Sequence, residues 1–388
     1  MTETTGAKTP ENPPDQELRR FDEAIREDHL IGQWSFEPLL EAATSGPTPR
    51  GKGHVWPWKT TRTRLAEASE TLGPAGLGRC NLTFLNPGIT QGPPGSTHTM
   101  AAGVQIMRAQ EVCWSHRHTM SALRFVIEGN PEAFTAVDGE PLTMDTFDLL
   151  ITPRFSWHDH HNPTDDEVVW LDVLDLGLTL GLNQAFYEPY GEASQPQRPH
   201  MGESQGLRAK SLRPVRERPR LERLPIRYPW ADVVEILDAY GDTTQDPYDG
   251  LALRYANPVT GGPTMTTLDC WIQQLPPGFQ GLSHRRTSSS VGFVVSGHGR
   301  VEVGDDTLDI GPGDTFAVPN FAWHRLLNDG DEPLRIFSVH DIPALTALGL
   351  FYEEPVPVVA AHPAPAVPAR PLKPHFRTDA MLAPEEER

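Results

Sequence analysis

The chain has 388 residues, enough for two domains of about 150 residues each with extra segments. Its 39 prolines, 33 glycines and 38% hydrophobic residues point to a loop-rich, all-β architecture rather than a helical bundle. The 52 acidic residues outnumber 33 basic ones, and a net charge of −19 argues against nucleic acid and anionic membrane surfaces as partners.

Residues 1–18 are polar and rich in Pro, Glu and Thr, which predicts disorder. No basic segment precedes an apolar one there, so no secretory signal is expected, and no apolar run reaches the ~18 residues of a membrane span. Cys80, Cys113 and Cys270 form an odd, scattered set without CxxC spacing, as suits a reducing cytoplasm. From Glu17 to Ala43 the pattern predicts one or two amphipathic helices. Residues 44–78 are punctuated by Gly and Pro and carry Trp56 and Trp58, so 1–78 reads as an N-terminal tail and helical arm.

From Arg79 onward, short β-type runs alternate with turns such as Asp138-Gly139, Pro276-Pro277-Gly278 and Gly304-Asp305-Asp306, the pattern of barrels or sandwiches. They fall into two units, 79–193 and 247–345. Between them, residues 194–246 carry Arg198, Arg208, Arg213, Arg216, Arg218, Arg220, Arg223 and Arg227 among prolines. This stretch is expected to be a solvated connector packing on the acidic body, a partner-binding strip being the alternative. Residues 346–388 form a Pro-rich tail, extended or disordered.

The two units share landmarks. His116 to His284 and Gly129 to Gly297 are steps of 168 residues; Pro153 to Pro319, His158 to His324 and Asn162 to Asn328 are steps of 166. That order implies an internal duplication, two barrels of one kind. Gly313, Pro319, His324 and Asn328 follow the second motif of the cupin superfamily, with Phe321 in place of its inner glycine. In the first unit Phe147 and Phe155 stand for the two glycines. Each unit thus resembles a cupin, and the resemblance implies a bicupin of two jelly-roll β-barrels.

His116 and His118 are two apart, so on a strand both rings face one side. With His158 from a later strand they make a three-imidazole set suited to Fe, Zn, Cu or Ni, leaving three positions open on an octahedral ion. Ala122 occupies the place where many metal cupins carry a glutamate ligand, so the site stays neutral until a cation enters. In the second unit Arg286 replaces the second histidine and Ser290 the glutamate, leaving His284 and His324. No metal is expected there.

The stretch Trp114–Asn162, with SHRHTMSALRFVIEG, AFTAVDGEPLTM and ITPRFSWHDHHN, resembles the ring-cleaving dioxygenases that act on gentisate, salicylate and 1-hydroxy-2-naphthoate. Arg254–Phe279, RYANPVTGGPTMTTLDCWIQQLPPGF, is similar to the start of that family's second barrel. The resemblance implies one Fe(II) per chain on His116, His118 and His158, O2 as co-substrate, and a homo-oligomer, tetramer or hexamer. It also marks Gln105, His160 and Asp172 as pocket positions.

Arg124, two residues past Ala122, shares the metal-facing side if both lie on one strand, where it could clamp a carboxylate. Asp172 would orient His160 or Arg124, and Arg79 is a second carboxylate contact. The expected reaction breaks the bond between the carboxyl-bearing and hydroxyl-bearing carbons of an ortho-hydroxy aromatic acid. Small residues at Ala101 and Gly103 place 1-hydroxy-2-naphthoate first, with gentisate or a substituted salicylate as the alternative. A non-catalytic binding or storage bicupin is the rival from another class.

Overall fold

Short runs of Val, Ile, Leu and Phe closed by Gly and Asp turns form antiparallel strands through the middle of the chain. The computed structural model describes residues 13–43, 46–72, 80–197, 226–241 and 246–355. In the first barrel a six-stranded sheet has the spatial order Ile226–Tyr228, Leu149–Thr152, Ala122–Glu128, Val168–Leu174, Ala101–Met107, Cys80–Thr83. Its five-stranded companion is ordered Tyr187–Pro189, Val112–His118, His158–His161, Asn130–Val137, Glu140–Met144.

The second barrel repeats both orders. Its six strands are His54–Trp56, Thr315–Val318, Ser290–Ser296, Leu334–His340, Asp269–Leu275 and Leu251–Arg254. Its five are Glu353–Pro355, His284–Arg286, His324–Leu327, Gly299–Val303 and Asp306–Ile310. The architecture is an all-β bicupin with an N-terminal helical arm.

Three strands cross the boundaries expected from sequence, one of them Glu353–Pro355, which comes from the expected tail and lies beside His284–Arg286 in the second barrel. His54–Trp56, from the N-terminal arm, pairs with Thr315–Val318 of the second barrel. Ile226–Tyr228, from the connector, pairs with Leu149–Thr152 of the first. Each of these two strands runs through a proline into a helix, Trp58–Leu72 or Trp230–Tyr240. The N–H of Trp58 bonds Asp314 and that of Trp230 bonds Asp148, both at 2.8 Å. The repeated unit therefore opens at HVWPW and IRYPW, and each opening strand completes the other half's sheet.

The remaining arm holds helices Pro13–Glu27 and Glu37–Ala42 around a 3-10 turn, so helix begins inside the stretch predicted to be disordered. Of the connector arginines, Arg227 pairs with Asp145 and Asp148 at 2.8 and 2.6 Å. Arg198, Arg208, Arg213, Arg216, Arg218, Arg220 and Arg223 lie outside the described residues. So does the tail beyond residue 355. Among the described residues no helix is long and apolar enough to cross a membrane.

Strand alternation sorts the core. One face of Ala122–Glu128 turns Phe125 towards the second barrel, where its ring stacks on Phe337 at 4.1 Å within a cluster shared by both halves. Burying each such ring contributes about 2–3 kcal/mol. The opposite face turns Arg124 and Val126 into the first barrel, against Trp170, Met107 and Leu150. The motif glycines are legible in the backbone: Gly313 has φ 84°, and Phe147, Phe155 and Phe321 keep the same left-handed region at 68°, 59° and 54°.

Candidate metal centre

The HxH segment lies on Val112–His118, and His158 opens the neighbouring strand directly opposite His116. All three rings are buried, and their ligating atoms lie within 4.8 Å of one another. Each ring aims Nδ1 at a backbone carbonyl two residues away. The pairs are His116 with Trp114 (2.9 Å), His118 with Met120 (3.0 Å) and His158 with Ser156 (3.0 Å). A carbonyl only accepts, so Nδ1 carries the proton and Nε2 the lone pair.

Burial first, then the nearby His116, Arg124, His118 and His160, hold His158 well below the usual imidazole range. Its Nε2 is buried without a hydrogen-bond partner among the described residues. Three neutral imidazoles converging around such an atom, with carbonyls fixing their tautomers, are a donor set that fits a first-row divalent cation.

The barrel wall beside the triad is polar. Arg124, 4% exposed, donates to Thr152 Oγ1 and lies 3.5 Å from Asp172 Oδ1. Asp172 also accepts from Asn81 Nδ2 at 3.2 Å. Asp172 is thus seen with Arg124, whereas the Nδ1 of His160 meets Thr135 Oγ1 at 2.8 Å. The His160 ring stands 6.0 Å from that of His158, while His161 turns to the other face, onto Asp159 and Phe134. Gln105 is buried on the same wall and donates to Cys113 Sγ at 3.7 Å.

Ala101 opens the strand that carries Gly103 and Gln105. A Cβ on Gly103 would lie 2.6 Å from the Leu82 carbonyl and 2.9 Å from Asn81 Oδ1, so the glycine admits the strand Cys80–Thr83. Arg79 lies outside the described residues. Sequence reasoning passed over Asn81, Thr135 and Thr152, polar residues on strands of the barrel. It also passed over Tyr187, whose ring stacks on His116 at 5.4 Å. Alternation along each strand was the available signal for the first three.

The corresponding end of the second barrel is filled differently. The rings of His284 and His324 lie 4.3 Å apart, tilted by 57°, and Arg286 beside them pairs with Asp249 and with Glu353 (2.8 Å). Burial and Arg286 push His284 down to about 4, and burial takes His324 to about 3. Both rings are thus neutral.

A cupin-domain family model matches residues 103–174 and 271–340, one stretch in each barrel. The 1-hydroxy-2-naphthoate 1,2-dioxygenase of Nocardioides sp. (strain KP7) is 53% identical, with 98% of each chain covered. The 5-aminosalicylate 1,2-dioxygenase of Comamonas sp. is 35% identical, over 88% of this chain and 92% of its own. Among solved structures, the salicylate 1,2-dioxygenase of Pseudoaminobacter salicylatoxidans with gentisate adducts superposes with TM-score 0.76 at 28% identity. It covers 92% of this chain and 97% of that one. Two cupin barrels, one buried histidine triad and full-length relatives of a single enzymatic class show that this chain belongs to the bicupin ring-cleaving dioxygenases.

Proposed function

We propose that the chain cleaves 1-hydroxy-2-naphthoate between its carboxyl-bearing and hydroxyl-bearing carbons, with Fe(II) on His116, His118 and His158 and O2 as co-substrate. The observation that carries this reading is the buried triad with the Arg124 guanidinium on the same barrel wall. Bound there, Fe(II) supplies a Lewis acid and the one-electron chemistry by which dioxygen reacts with an electron-rich ring.

The protein's part is binding and orientation. Arg124 holds the substrate carboxylate, and Thr152 and Asp172 hold Arg124. His160, anchored through Nδ1 by Thr135, offers its other ring edge to the substrate hydroxyl or to dioxygen. Gln105 adds a polar contact, and the buried Trp170, Met107 and Val126 close the far end to water. Ala101 supports the two-ring substrate by bringing no bulk to the wall.

The test is oxygen uptake by protein loaded anaerobically with Fe(II), with 1-hydroxy-2-naphthoate, gentisate and salicylate given separately. Stoichiometric uptake with the naphthoate, lost in His118→Ala, supports the proposal. Preference for a single-ring acid overturns the substrate, and no uptake with any acid at one iron per chain overturns the reaction.

The proposal extends to a cytoplasmic homo-oligomer, tetramer or hexamer. Exposed Phe21, Leu39 and Leu40 on the N-terminal helices support the assembly, and buried Cys80, Cys113 and Cys270, not joined by a disulfide, support the compartment. A monomer in analytical ultracentrifugation overturns the assembly.

A further inference from the structure

Two hydrogen bonds cross between the barrels at mirrored positions. Thr99 of the first half donates to Asp341 of the second at 2.6 Å, and Thr267 of the second half donates to Asp175 of the first. Each aspartate also accepts the N–H of a serine after the HxH segment, Asp175 from Ser121 (2.9 Å) and Asp341 from Ser289 (2.8 Å). The threonines and serines are 168 residues apart and the aspartates 166, the steps of the duplication.

One position breaks the mirror. In the turn leading to the second-motif histidine, the first half has Arg154 where the second has Asn320. Asn320 turns to the N-terminal segment, accepting from Arg50 N (2.8 Å) and donating to Thr48 O (3.3 Å). Arg154 instead pairs with Asp175 and donates to Thr119 O (2.6 Å) and Thr267 Oγ1 (3.1 Å). Thr119 follows His118 directly, and Arg154 lies four residues before His158. One carboxylate, 1% exposed, therefore gathers the turn after His118, the turn before His158 and a hydroxyl of the opposite barrel.

We propose that Thr267, Asp175 and Arg154 form a strut through which the second barrel holds the two ligand turns of the metal centre, with Arg154 as a positioning residue for His118 and His158. Groups behind metal ligands set ring orientation, and their loss costs roughly 10–100-fold in metal affinity. The strut gives the second barrel a role in the chemistry of the first without any ligand of its own. It rests on the proposed ligation by the three histidines, but not on the ring-cleavage reaction.

The full-length apoprotein is titrated with Co(II), read by the affinity and by the visible ligand-field spectrum. Thr267→Val should weaken binding about tenfold and alter the spectrum, and Thr267→Ser should restore both. Thr99→Val, which deletes the mirrored bond on the side of Asp341, should leave both at wild-type values. If Thr267→Val does not fold, Arg154→Lys, which keeps the charge but not the fork, carries the same expectation. Equal effects of the two valine variants, or none from either, overturn the strut. A wild type that takes up no Co(II) overturns the metal centre and the strut together, whereas normal Co(II) binding without oxygen uptake would defeat only the reaction.

Discussion

The two barrels have the same strands in the same spatial order, yet among the described residues only the first brings three histidines within ligating distance of one another. In the second, the chain puts Arg286 at the second HxH position and surrounds it with Asp249 and Glu353. One side chain changes that end from three converging lone pairs to an ion-paired plug. A duplicated backbone therefore preserves fold far more strictly than chemistry, because strand pairing depends on every residue's main chain while a metal centre depends on a few side chains.

The largest effect expected from breaking this asymmetry is His118→Ala, which should abolish metal retention and oxygen uptake. His284→Ala, at the position in the second barrel that matches His116, should leave bound metal at the wild-type level, by elemental analysis of the purified protein. Next, Arg286→Met leaves the buried Asp249 carboxylate without its closest cation, a loss of about 3–5 kcal/mol visible in the denaturant midpoint. A variant as stable as the wild type would show that the plug does not support the second barrel.

Arg124→Lys keeps the charge but not the planar fork, and should lower kcat/KM roughly 100-fold, chiefly through KM, in steady-state assays. A change confined to kcat would move Arg124 from binding to chemistry. The smallest effect separates the mirrored aspartates. Burial pushes Asp341 up to about 6, with Thr99 and the Ser289 N–H as its partners and His98 beside Thr99. Asp175, also raised by burial, has Arg154 to offset it.

A folded pKa above the unfolded one means that Asp341 stabilises fully below pH ~4 and loses that contribution as pH rises through about 6. Asp341→Asn should therefore gain in Tm relative to wild type between pH 5 and pH 8 by the equivalent of about 1.4 kcal/mol, most of it by pH 6. A difference independent of pH would remove the titration from Asp341.

The centre was legible because its residues sit in a spaced pattern. His116 and His118 share a strand face by period two, His158 holds the place marked by Pro153 and Asn162, and Arg124 follows in phase. Asn81, Thr135 and Thr152 carry no motif, and their importance depends on which strands become neighbours. Asn81, which reaches Asp172, sits in a short strand and carries no such pattern. The exchanged strands escaped because they are three residues long and their repeat, HVWPW against IRYPW, shares only its proline and final tryptophan.

That exchange has a consequence for handling the protein. A single repeat made alone would lack one edge strand and expose the open side of Leu149–Thr152 or Thr315–Val318, an invitation to aggregate. Two copies could cure each other by trading openings, so the arrangement has the geometry of a swapped dimer carried on one polypeptide. A protease cut between residues 198 and 225 would then leave a nicked particle rather than two barrels, and two co-expressed half-genes should rebuild it.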